Sequence, residues 1–480
     1  MEGMKEIPIQ KNEEYSLEIT DIGTDGAGIG HSNGFVFFVK DTVPGDIVKI
    51  KVIKVKKSFA YGKLIKIIKP SKDRVEPTCP IARQCGGCQL QHLSYEKQLE
   101  YKQRKVKNCL ERIGGCKEFV LEPILRMNEP YHYRNKAQFP VGKTKDGKLA
   151  IGFYAGHTHS IIDTRVCCIQ AEINEKVMEL IRNFLETYQI PPYDEESHTG
   201  LVRHILTRVG FATGELMICL VINGDKLPYE KEFVEMLTKK EWKISINQGE
   251  KDSDSSKFWK VTSISFNINK EKTNVIMGQE CVFLWGKPYI TDKIGENSYR
   301  ISPLSFYQVN PIQTKKLYDT VLEFAKLTGK EIVWDLYCGT GTISLFLAHQ
   351  AKKVYGVEVI LQAVEDAKEN AKINGIENAE FFCGRAELVL PKWYEQYPQE
   401  KADLVVLDPP RKGCDKKLLL TIATMEVEKI VYVSCDPATL ARDIKILGEY
   451  GYCLKRVRTC DMFGNSIHVE TIVGLQRQDM

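Results

Sequence analysis

The feature that most constrains the fold is a regular alternation of short apolar runs and helix-like segments in the last third of the chain. Each run has the length of a buried strand and is followed by a longer segment with helical spacing. The five runs are Ile332–Leu336, Lys353–Val357, Glu380–Cys383, Asp403–Leu407 and Lys429–Ser434. This alternation is typical of a doubly wound α/β domain, in which helices cover both faces of a parallel sheet.

A glycine-rich turn directly after the first run predicts a cofactor site. The turn reads Cys338-Gly-Thr-Gly341, and the next strand ends at Glu358, 17 residues after Gly341. Glycine lets the backbone approach a ligand closely, and an acid at the end of the second strand is placed to bind ribose hydroxyls. Ser344 stands where a dinucleotide fingerprint would have its third glycine. We therefore expect an adenosyl cofactor without a pyrophosphate, of which S-adenosylmethionine is the common one.

Two further strand ends carry candidate reactive groups. The fourth run leads into Asp408-Pro-Pro-Arg411, and the fifth delivers Cys435. In open α/β sheets ligands bind outside the carboxyl ends of the strands, so these residues should share one crevice with the glycine turn. An Asp-Pro-Pro-aromatic sequence suits methylation of an exocyclic amine, because the aromatic ring stacks on the base. Arg411 replaces that ring and argues against amine chemistry.

A cysteine at this place suits methylation at carbon 5 of uracil. A thiolate that adds to carbon 6 makes carbon 5 nucleophilic, and a base must later remove the carbon 5 proton. We expect the surroundings of Cys435 to lower its pKa, so that the thiolate is available near neutral pH. The run Ser466–Glu470 is interpreted as a strand that places His468 and Glu470 on one face, and the pattern does not choose between them as the base.

The N-terminal part of the chain has a different character. Residues 15–70 combine several glycines with two strand-like runs, Gly34–Val39 and Ile47–Val55, which predicts a small all-β domain. Eight lysines and no acid lie between Lys49 and Lys69. The net charge of only +4 carries no argument for nucleic acid, but this local excess favours binding to a phosphate backbone.

A cysteine-rich segment follows, with the metal-like spacing of Cys79, Cys85 and Cys88. His92 could complete a tetrahedral zinc site, or Cys167 or Cys168 could complete an iron–sulfur cluster. The spacing alone slightly favours zinc. A disulfide is disfavoured, because no apolar run reaches the ~18–20 residues of a membrane helix and the N-terminus lacks a signal region, which predicts a cytoplasmic protein.

Taken together, these motifs resemble the bacterial RNA uracil-5 methyltransferases, and specifically the iron–sulfur branch that acts on 23S ribosomal RNA. The resemblance covers essentially the whole chain. The matching segments are residues 15–70, Cys79 with Cys85 and Cys88, Tyr133–Lys136, Ser302–Asn310, Asp335–Gly341, Asp408–Arg411, Ser434–Pro437 and His468–Glu470.

The resemblance implies three domains: a TRAM-like, OB-like RNA-binding β-barrel over 1–70, a mixed α+β central domain over 71–300, and a Rossmann-like S-adenosylmethionine methyltransferase domain over 301–480. The helix at 93–113 could pack on the last of these. The resemblance further implies that the protein acts on RNA. We also expect a monomer without membrane association.

The resemblance also implies roles for individual residues. It gives Cys435 as the nucleophile and Glu470 as the base. It replaces zinc with a 4Fe–4S cluster. The implied cofactor contacts are Gln308, Tyr337, Glu358 and Asp408, and the implied cluster ligands are Cys79, Cys85, Cys88 and Cys167, with Cys168 as the other candidate for the fourth.

Three alternatives remain open. A transfer-RNA uracil-5 methyltransferase would use the same chemistry, although its best-known branch lacks the barrel and the cluster. An RNA cytosine-5 methyltransferase would usually carry a second cysteine motif, which is not evident. A non-catalytic RNA-binding or ribosome assembly factor would not need Cys435 together with Glu470.

Overall fold

A computed structural model describes residues 9–156, 158–239, 242–245, 256–398 and 400–478. The chain divides into two compact units. One consists of Met1–Lys105, Ala155–Thr158 and Phe463–His468, and the other of Val106–Tyr154, His159–Met462 and Val469–Met480. No helix in the described ranges is long and apolar enough to cross a membrane.

The first unit begins with a closed barrel of five strands in the order β1-β2-β3-β5-β4. The strands are β1 Glu14–Ile22, β2 Gly28–Ser32, β3 Phe35–Val39, β4 Ile47–Val55 and β5 Phe59–Lys69. Alternate side chains point inward, so that Phe37, Val48 and Ile50 are fully buried while the intervening lysines face outward. The predicted all-β domain is therefore confirmed by the closed barrel of five strands.

A long helix and the edge strand of the C-terminal sheet follow the barrel in the sequence. They are α1 Tyr95–Arg112 and β6 Val120–Leu125. The last turns of α1 bury Val106 and Leu110 in the apolar core of the α/β sheet. This part of the helix therefore contributes to that core.

The middle of the chain forms a large, mostly antiparallel sheet with the order β12-β13-β11-β10-β7-β8-β9, and β14 pairs with β13. Its elements are β7 Lys136–Lys143, β8 Leu149–Tyr154, β9 Ile161–Asp163, α2 Ile173–Thr187, β10 Val202–Val209, β11 Glu215–Ile222, α3 Glu230–Thr238, β12 Trp242–Ser245, β13 Ser256–Ile268 and β14 Glu280–Gly286. One face of the sheet packs against α2 and α3, which confirms a mixed α+β region.

The C-terminal part forms a second eight-stranded sheet with the order β19-β18-β17-β20-β21-β23-β22-β6, preceded by the hairpin β15–β16. Its elements are β15 Ile290–Ile294, β16 Asn297–Ile301, α4 Pro311–Ala325, β17 Ile332–Leu336, α5 Thr342–Ala348, β18 Lys353–Glu358, α6 Leu361–Ile373, β19 Ala379–Cys383, α7 Ala386–Gln396, β20 Leu404–Leu407, α8 Lys416–Thr424, β21 Lys429–Ser434, α9 Pro437–Gly448, β22 Tyr452–Cys460 and β23 Glu470–Arg477.

The five predicted strands are β17 to β21, and they pair in parallel as expected. The chain reverses its direction across the sheet between β17 and β20, which creates a topological switch point. The loops after these two strands are the glycine turn and Asp408–Arg411. The fold thus confirms a Rossmann-like α/β domain and places its ligand crevice at the predicted motifs.

Candidate active site

The glycine turn after β17 is tight and leaves its backbone open to a ligand. Tyr337, Gly339 and Gly341 all have positive φ, at 68°, 56° and 80°. A side chain at Gly341 would lie 3.1 Å from Ala367 Cβ, whereas one at Gly339 would meet nothing within 4 Å. The open side at Gly339 therefore faces the crevice, where a ligand can approach the main chain.

Glu358 is fixed at the end of β18 by backbone donors. Its Oε2 accepts a hydrogen bond from Gly339 N at 3.2 Å, and its Oε1 accepts from Val359 N at 2.7 Å and Ile360 N at 3.0 Å. Each carboxylate oxygen keeps lone pairs for further donors. The acid is thus oriented beside the glycine turn, as a ribose-binding residue must be.

Two carboxyl groups flank the switch point, of which Asp335 is buried and Asp408 is half-buried. Burial raises the pKa of Asp408, at the end of β20, to about 7. Asp335 on β17 accepts a hydrogen bond from Ser344 Oγ at 2.5 Å, and burial raises its pKa to about 7 as well. The sequence analysis assigned no role to Asp335, although its place in the motif before the glycine turn marks it as part of the cofactor crevice.

Cys435 lies directly after β21 and directly before α9. Asp436 caps that helix, since its side chain accepts hydrogen bonds from Ala438 N at 2.9 Å and Thr439 N at 3.0 Å. Thr439 Oγ1 also donates to the carbonyl of Arg411 at 3.1 Å, which ties the Asp408–Arg411 turn to the cysteine. The nucleophile candidate therefore stands on a rigid strand-to-helix junction.

The expectation that the surroundings lower the pKa of Cys435 is wrong for the protein without ligands. Burial, then Glu470 and Asp408, raise the pKa of the thiol to about 11, and Arg411 opposes them. A thiolate is disfavoured in a half-buried place beside two acids. The same interactions show that these four residues gather at one place.

Glu470 is the first residue of β23 and is 6% exposed. The last rung between β21 and β23 joins Ser434 to Thr471, so Cys435 and Glu470 are the next residues on either side. Burial, then Asp408, raise the pKa of Glu470 to about 8 against the effect of Arg411. The carboxyl group thus lies where a base for the same substrate could act.

His468 does not share a strand with Glu470 in the structure. The predicted strand over Ser466–Glu470 is wrong, because β23 begins only at Glu470 and a turn stabilised by the Ser466 hydroxyl precedes it. The His468 backbone N donates to Ser466 Oγ at 3.3 Å, and its ring makes an edge contact with Phe463. His468 belongs to the first compact unit, whereas Glu470 belongs to the second.

The loop 302–310 carries Gln308 and is hydrogen-bonded to Asn135, the residue before β7. Asn135 Nδ2 donates to the carbonyl of Gln308 at 2.9 Å, and Asn135 N donates to the carbonyl of Val309 at 2.9 Å. Thr340 Oγ1 in the glycine turn donates to the carbonyl of Phe306 at 3.5 Å. Phe306 itself is 67% exposed, which leaves an aromatic ring free beside the turn. The sequence analysis singled out neither Asn135 nor Phe306 individually.

Tyr337 lies in the glycine turn at the end of β17. Burial and then the neighbouring Cys414 raise the pKa of its hydroxyl. The residue is half-buried, so part of its surface remains accessible. Its position is compatible with the cofactor contact that the sequence analysis gave it.

The cysteine loop belongs to the first unit. Cys85 forms an isolated β-bridge with Ala155, and Gly87 N donates to Cys85 Sγ at 3.4 Å. Burial and then Cys79 raise the pKa of the Cys85 thiol, with the Gly87 hydrogen bond opposing them. Cys79 and Cys85 are thus electrostatic neighbours. Within the described ranges, no three His, Cys, Asp or Glu side chains form a group that could hold a metal ion.

The remaining candidates for metal ligation differ in burial. His92 is buried, and its Nε2 lies 3.4 Å from the carbonyl of Thr42 in the barrel. Cys168 is buried and Cys167 is half-buried, and both belong to the second unit. These positions leave the choice between the two neighbouring cysteines as the sequence left it.

Comparison with protein families assigns both parts of the chain. Residues 94–478 match the model of the tRNA (uracil-5-)-methyltransferase family. Residues 8–65 match the TRAM domain, which corresponds to the five-stranded barrel. The first match spans the central sheet, the glycine turn, Cys435 and Glu470.

Full-length relatives and a solved structure agree with this assignment. The chain is 50% identical over 469 residues to an uncharacterized RNA methyltransferase of Clostridium tetani, covering 98% of this chain and 97% of the relative. It is 47% identical to one of Halalkalibacterium halodurans, covering 98% and 99%. The crystal structure of the Pyrococcus abyssi tRNA (uracil-54, C5)-methyltransferase in complex with S-adenosyl-L-homocysteine is 28% identical, with a TM-score of 0.75 and coverage of 96% and 99%. The chain therefore belongs to the tRNA (uracil-5-)-methyltransferase family, and it is an S-adenosylmethionine-dependent methyltransferase that acts on RNA.

Proposed function

We propose that the protein methylates carbon 5 of a uridine in 23S ribosomal RNA, with Cys435 as the nucleophile and Glu470 as the base. The observation that carries the proposal is the arrangement at the end of the sheet. Cys435 follows the last rung of β21, Glu470 precedes the matching rung of β23, and both interact with Asp408 and Arg411.

The residues divide the reaction between them. The Cys435 thiolate adds to carbon 6 of uracil, and the electron pair of the C5–C6 double bond moves toward the carbonyl at carbon 4. S-adenosylmethionine supplies an electrophilic methyl group to carbon 5 when it is bound. Glu470 then accepts the carbon 5 proton, the bond between carbon 6 and Sγ breaks, and the double bond and the thiolate are restored.

Cys435 and Glu470 have to lose their protons before they can act as nucleophile and base. In the ligand-free protein the pKa of Glu470 is about 8 and that of Asp408 about 7, so at neutral pH the crevice holds protons on its acids. A sulfonium cation placed beside these acids favours their ionised forms. We propose Glu358 and Asp408 as direct cofactor contacts, with Gln308 and Tyr337 from the adjacent loops.

The choice of ribosomal RNA rests on the resemblance of the whole sequence, including the barrel and the cysteine loop. One observation favours transfer RNA as the second candidate. The Pyrococcus abyssi structure aligns with 96% of this chain and is named as a tRNA enzyme, so the barrel is compatible with that substrate. The presence of the barrel therefore does not exclude transfer RNA as the substrate.

The test is a map of 5-methyluridine in ribosomal and transfer RNA by mass spectrometry. A strain that lacks the gene is compared with the same strain carrying the wild-type gene or the Cys435→Ala variant. We expect one or more 23S uridines to lose the methyl group and to regain it only with the wild type. Loss confined to transfer RNA would establish the second candidate, and no loss at all would refute the proposed function.

We also propose, from the resemblance of the sequence, that Cys79, Cys85, Cys88 and Cys167 would hold a 4Fe–4S cluster. Three of these thiols lie in one loop, and the hydrogen bond from Gly87 N to Cys85 Sγ is of the kind that stabilises a thiolate ligand. Iron and sulfide are measured in anaerobically purified protein, with Cys85→Ser as the loss variant and Cys453→Ser as the matched control. About four irons in the wild type and the control, and few in Cys85→Ser, are expected. Zinc in place of iron would refute the proposal.

A further inference from the structure

Two cationic side chains face each other on the central sheet without an acidic partner. Lys136, the first residue of β7, is the direct cross-strand partner of Arg208 on β10. Side chains paired in this way project from the same face with Cβ atoms about 4.5–5.5 Å apart, and like charges in such a pair are destabilising. Neither side chain forms a salt bridge with any residue that the structure describes.

Arg208 is a buried charge held by neutral groups. It is 2% exposed, and its Nη2 donates hydrogen bonds to the carbonyls of Pro303 and Ser305. Burial lowers the pKa of the guanidinium to about 10, which still leaves it positive near neutral pH. Carbonyl oxygens satisfy the donors but do not neutralise the charge.

Lys136 is half-buried beside this charge. Burial, then Arg208 and Arg134, lower the pKa of its ammonium to about 8, and no carboxylate contributes an opposing effect. The ammonium makes no hydrogen bond within the described structure. At neutral pH the side chain is therefore a charged group with an unused set of three donors.

These cations border the methylation crevice. The loop that Arg208 holds through Pro303 and Ser305 continues to Gln308, whose carbonyl is bound by Asn135, the neighbour of Lys136. The same loop contacts the glycine turn through the Thr340 hydroxyl. An anion at Lys136 would thus lie beside the loop that carries a cofactor contact.

We propose that Lys136 binds a backbone phosphate of the substrate RNA, close to the nucleotide that is methylated. Arg208 holds the adjacent loop through Pro303 and Ser305 and adds positive charge next to Lys136. A phosphate supplies the negative charge that the pair lacks and accepts the free ammonium donors. The inference deepens the proposed function, on which the identity of the anion as RNA rests.

The test compares Lys136→Gln and Lys136→Arg with Lys145→Gln, which changes an exposed lysine in the turn after the same strand. Binding of a fluorescein-labelled RNA stem-loop with a uridine in its loop is measured by anisotropy at several salt concentrations. We expect Lys136→Gln to weaken binding about tenfold, the effect of one lost charge-assisted hydrogen bond. Its salt slope should fall by about 0.7–0.9, the value for one phosphate contact.

The other readouts separate this role from a structural one. Lys136→Arg should keep RNA affinity within about threefold, since arginine also binds phosphate. S-adenosylmethionine affinity should stay at the wild-type value, and the melting temperature of Lys136→Gln should not fall, because a repulsion is removed. The KM for RNA should rise about tenfold with little change in kcat, as for lost uniform binding.

Two results would overturn the inference. One is that Lys136→Gln binds RNA with the affinity and salt slope of Lys145→Gln. The other is that it loses cofactor affinity and thermal stability in proportion to RNA affinity, which would make Lys136 a structural residue. A wild-type protein that binds the stem-loop and ribosomal RNA but methylates no RNA would refute the proposed function instead, while the binding comparison would still decide the phosphate site.

Discussion

The methylation crevice gathers acidic side chains, whereas the central sheet gathers two cationic ones, and in both places groups of one kind lie close together. In the crevice, burial keeps protons on Asp408 and Glu470 and raises the pKa of Cys435. On the sheet, the half-buried Lys136 and the buried Arg208 repel each other. S-adenosylmethionine is a cation, whose binding would favour the ionised forms of the crevice acids, and RNA is a polyanion, whose phosphates would complement the two cations. Ionisable side chains of the same kind that lie close together can therefore mark a binding site.

The largest expected effect comes from removing the nucleophile in the crevice. Cys435→Ala should lower kcat by on the order of 10⁴-fold or more, because carbon 5 is unreactive without addition at carbon 6. S-adenosylmethionine affinity, measured by calorimetry, should remain. Cys453→Ala, a half-buried cysteine on β22, is the matched control and should retain activity. Residual turnover of a few per cent in Cys435→Ala would contradict the assignment.

Removing the base should stall the reaction rather than prevent its start. Glu470→Gln should lower kcat about 10²–10⁴-fold, the usual contribution of a general base. The carbon 5 proton would then stay in place, and a covalent protein–RNA adduct should accumulate as a shifted band on a denaturing gel. Glu449→Gln, an exposed acid at the end of α9, should give no such band. Absence of the adduct in Glu470→Gln would point to a different base.

Asp408 tests whether the acids of the crevice act together. Asp408→Asn should weaken S-adenosylmethionine binding about tenfold, because a charge-assisted contact is lost. Because Asp408 raises the pKa of Glu470, the variant should also shift the pH dependence of kcat/KM to lower pH. Asp319→Asn, an exposed acid on α4, should change neither quantity. An unchanged pH profile would show that the two acids are independent.

The last test changes no residue and varies only the pH of the unmodified enzyme. A base acts only when ionised, and the pKa of Glu470 in the ligand-free protein is about 8. Below that value kcat/KM should therefore rise about tenfold per pH unit, since kcat/KM reports the free enzyme. The measurement is kcat/KM for RNA between pH 6 and 9 at constant ionic strength. A flat profile between pH 6 and 8 would mean that Glu470 is already ionised.

Local patterns predicted much of this fold because the residues that define a buried strand are contiguous. Ile332–Leu336 and Lys429–Ser434 appear as strands with the predicted bounds. The prediction of a strand over Ser466–Glu470 was wrong because a turn forms there instead. The Ser466 hydroxyl stabilises this turn, and such local hydrogen bonds compete with strand pairing. The alternation of side chains over these five residues could not reveal that competition.

The electrostatics of the site could not be predicted from the sequence, because they depend on which groups the fold brings together. Glu470 reaches Cys435 through strand pairing, and Lys136 reaches Arg208 through a register fixed between β7 and β10. The raised pKa of Cys435 follows from two acids distant in sequence. The sequence motifs therefore name candidate residues, whereas the sign of their mutual electrostatic influence needed the structure.

The raised pKa of Cys435 also bears on how the enzyme survives between turnovers. With a pKa of about 11, only about one thiol in 10⁴ is ionised at pH 7. Peroxides and alkylating agents attack the thiolate, so the idle cysteine should be oxidised or alkylated slowly. Reactivity of the proposed nucleophile would then be confined to the moment when ligands fill the crevice, and between turnovers the thiol would be protected from oxidation and alkylation.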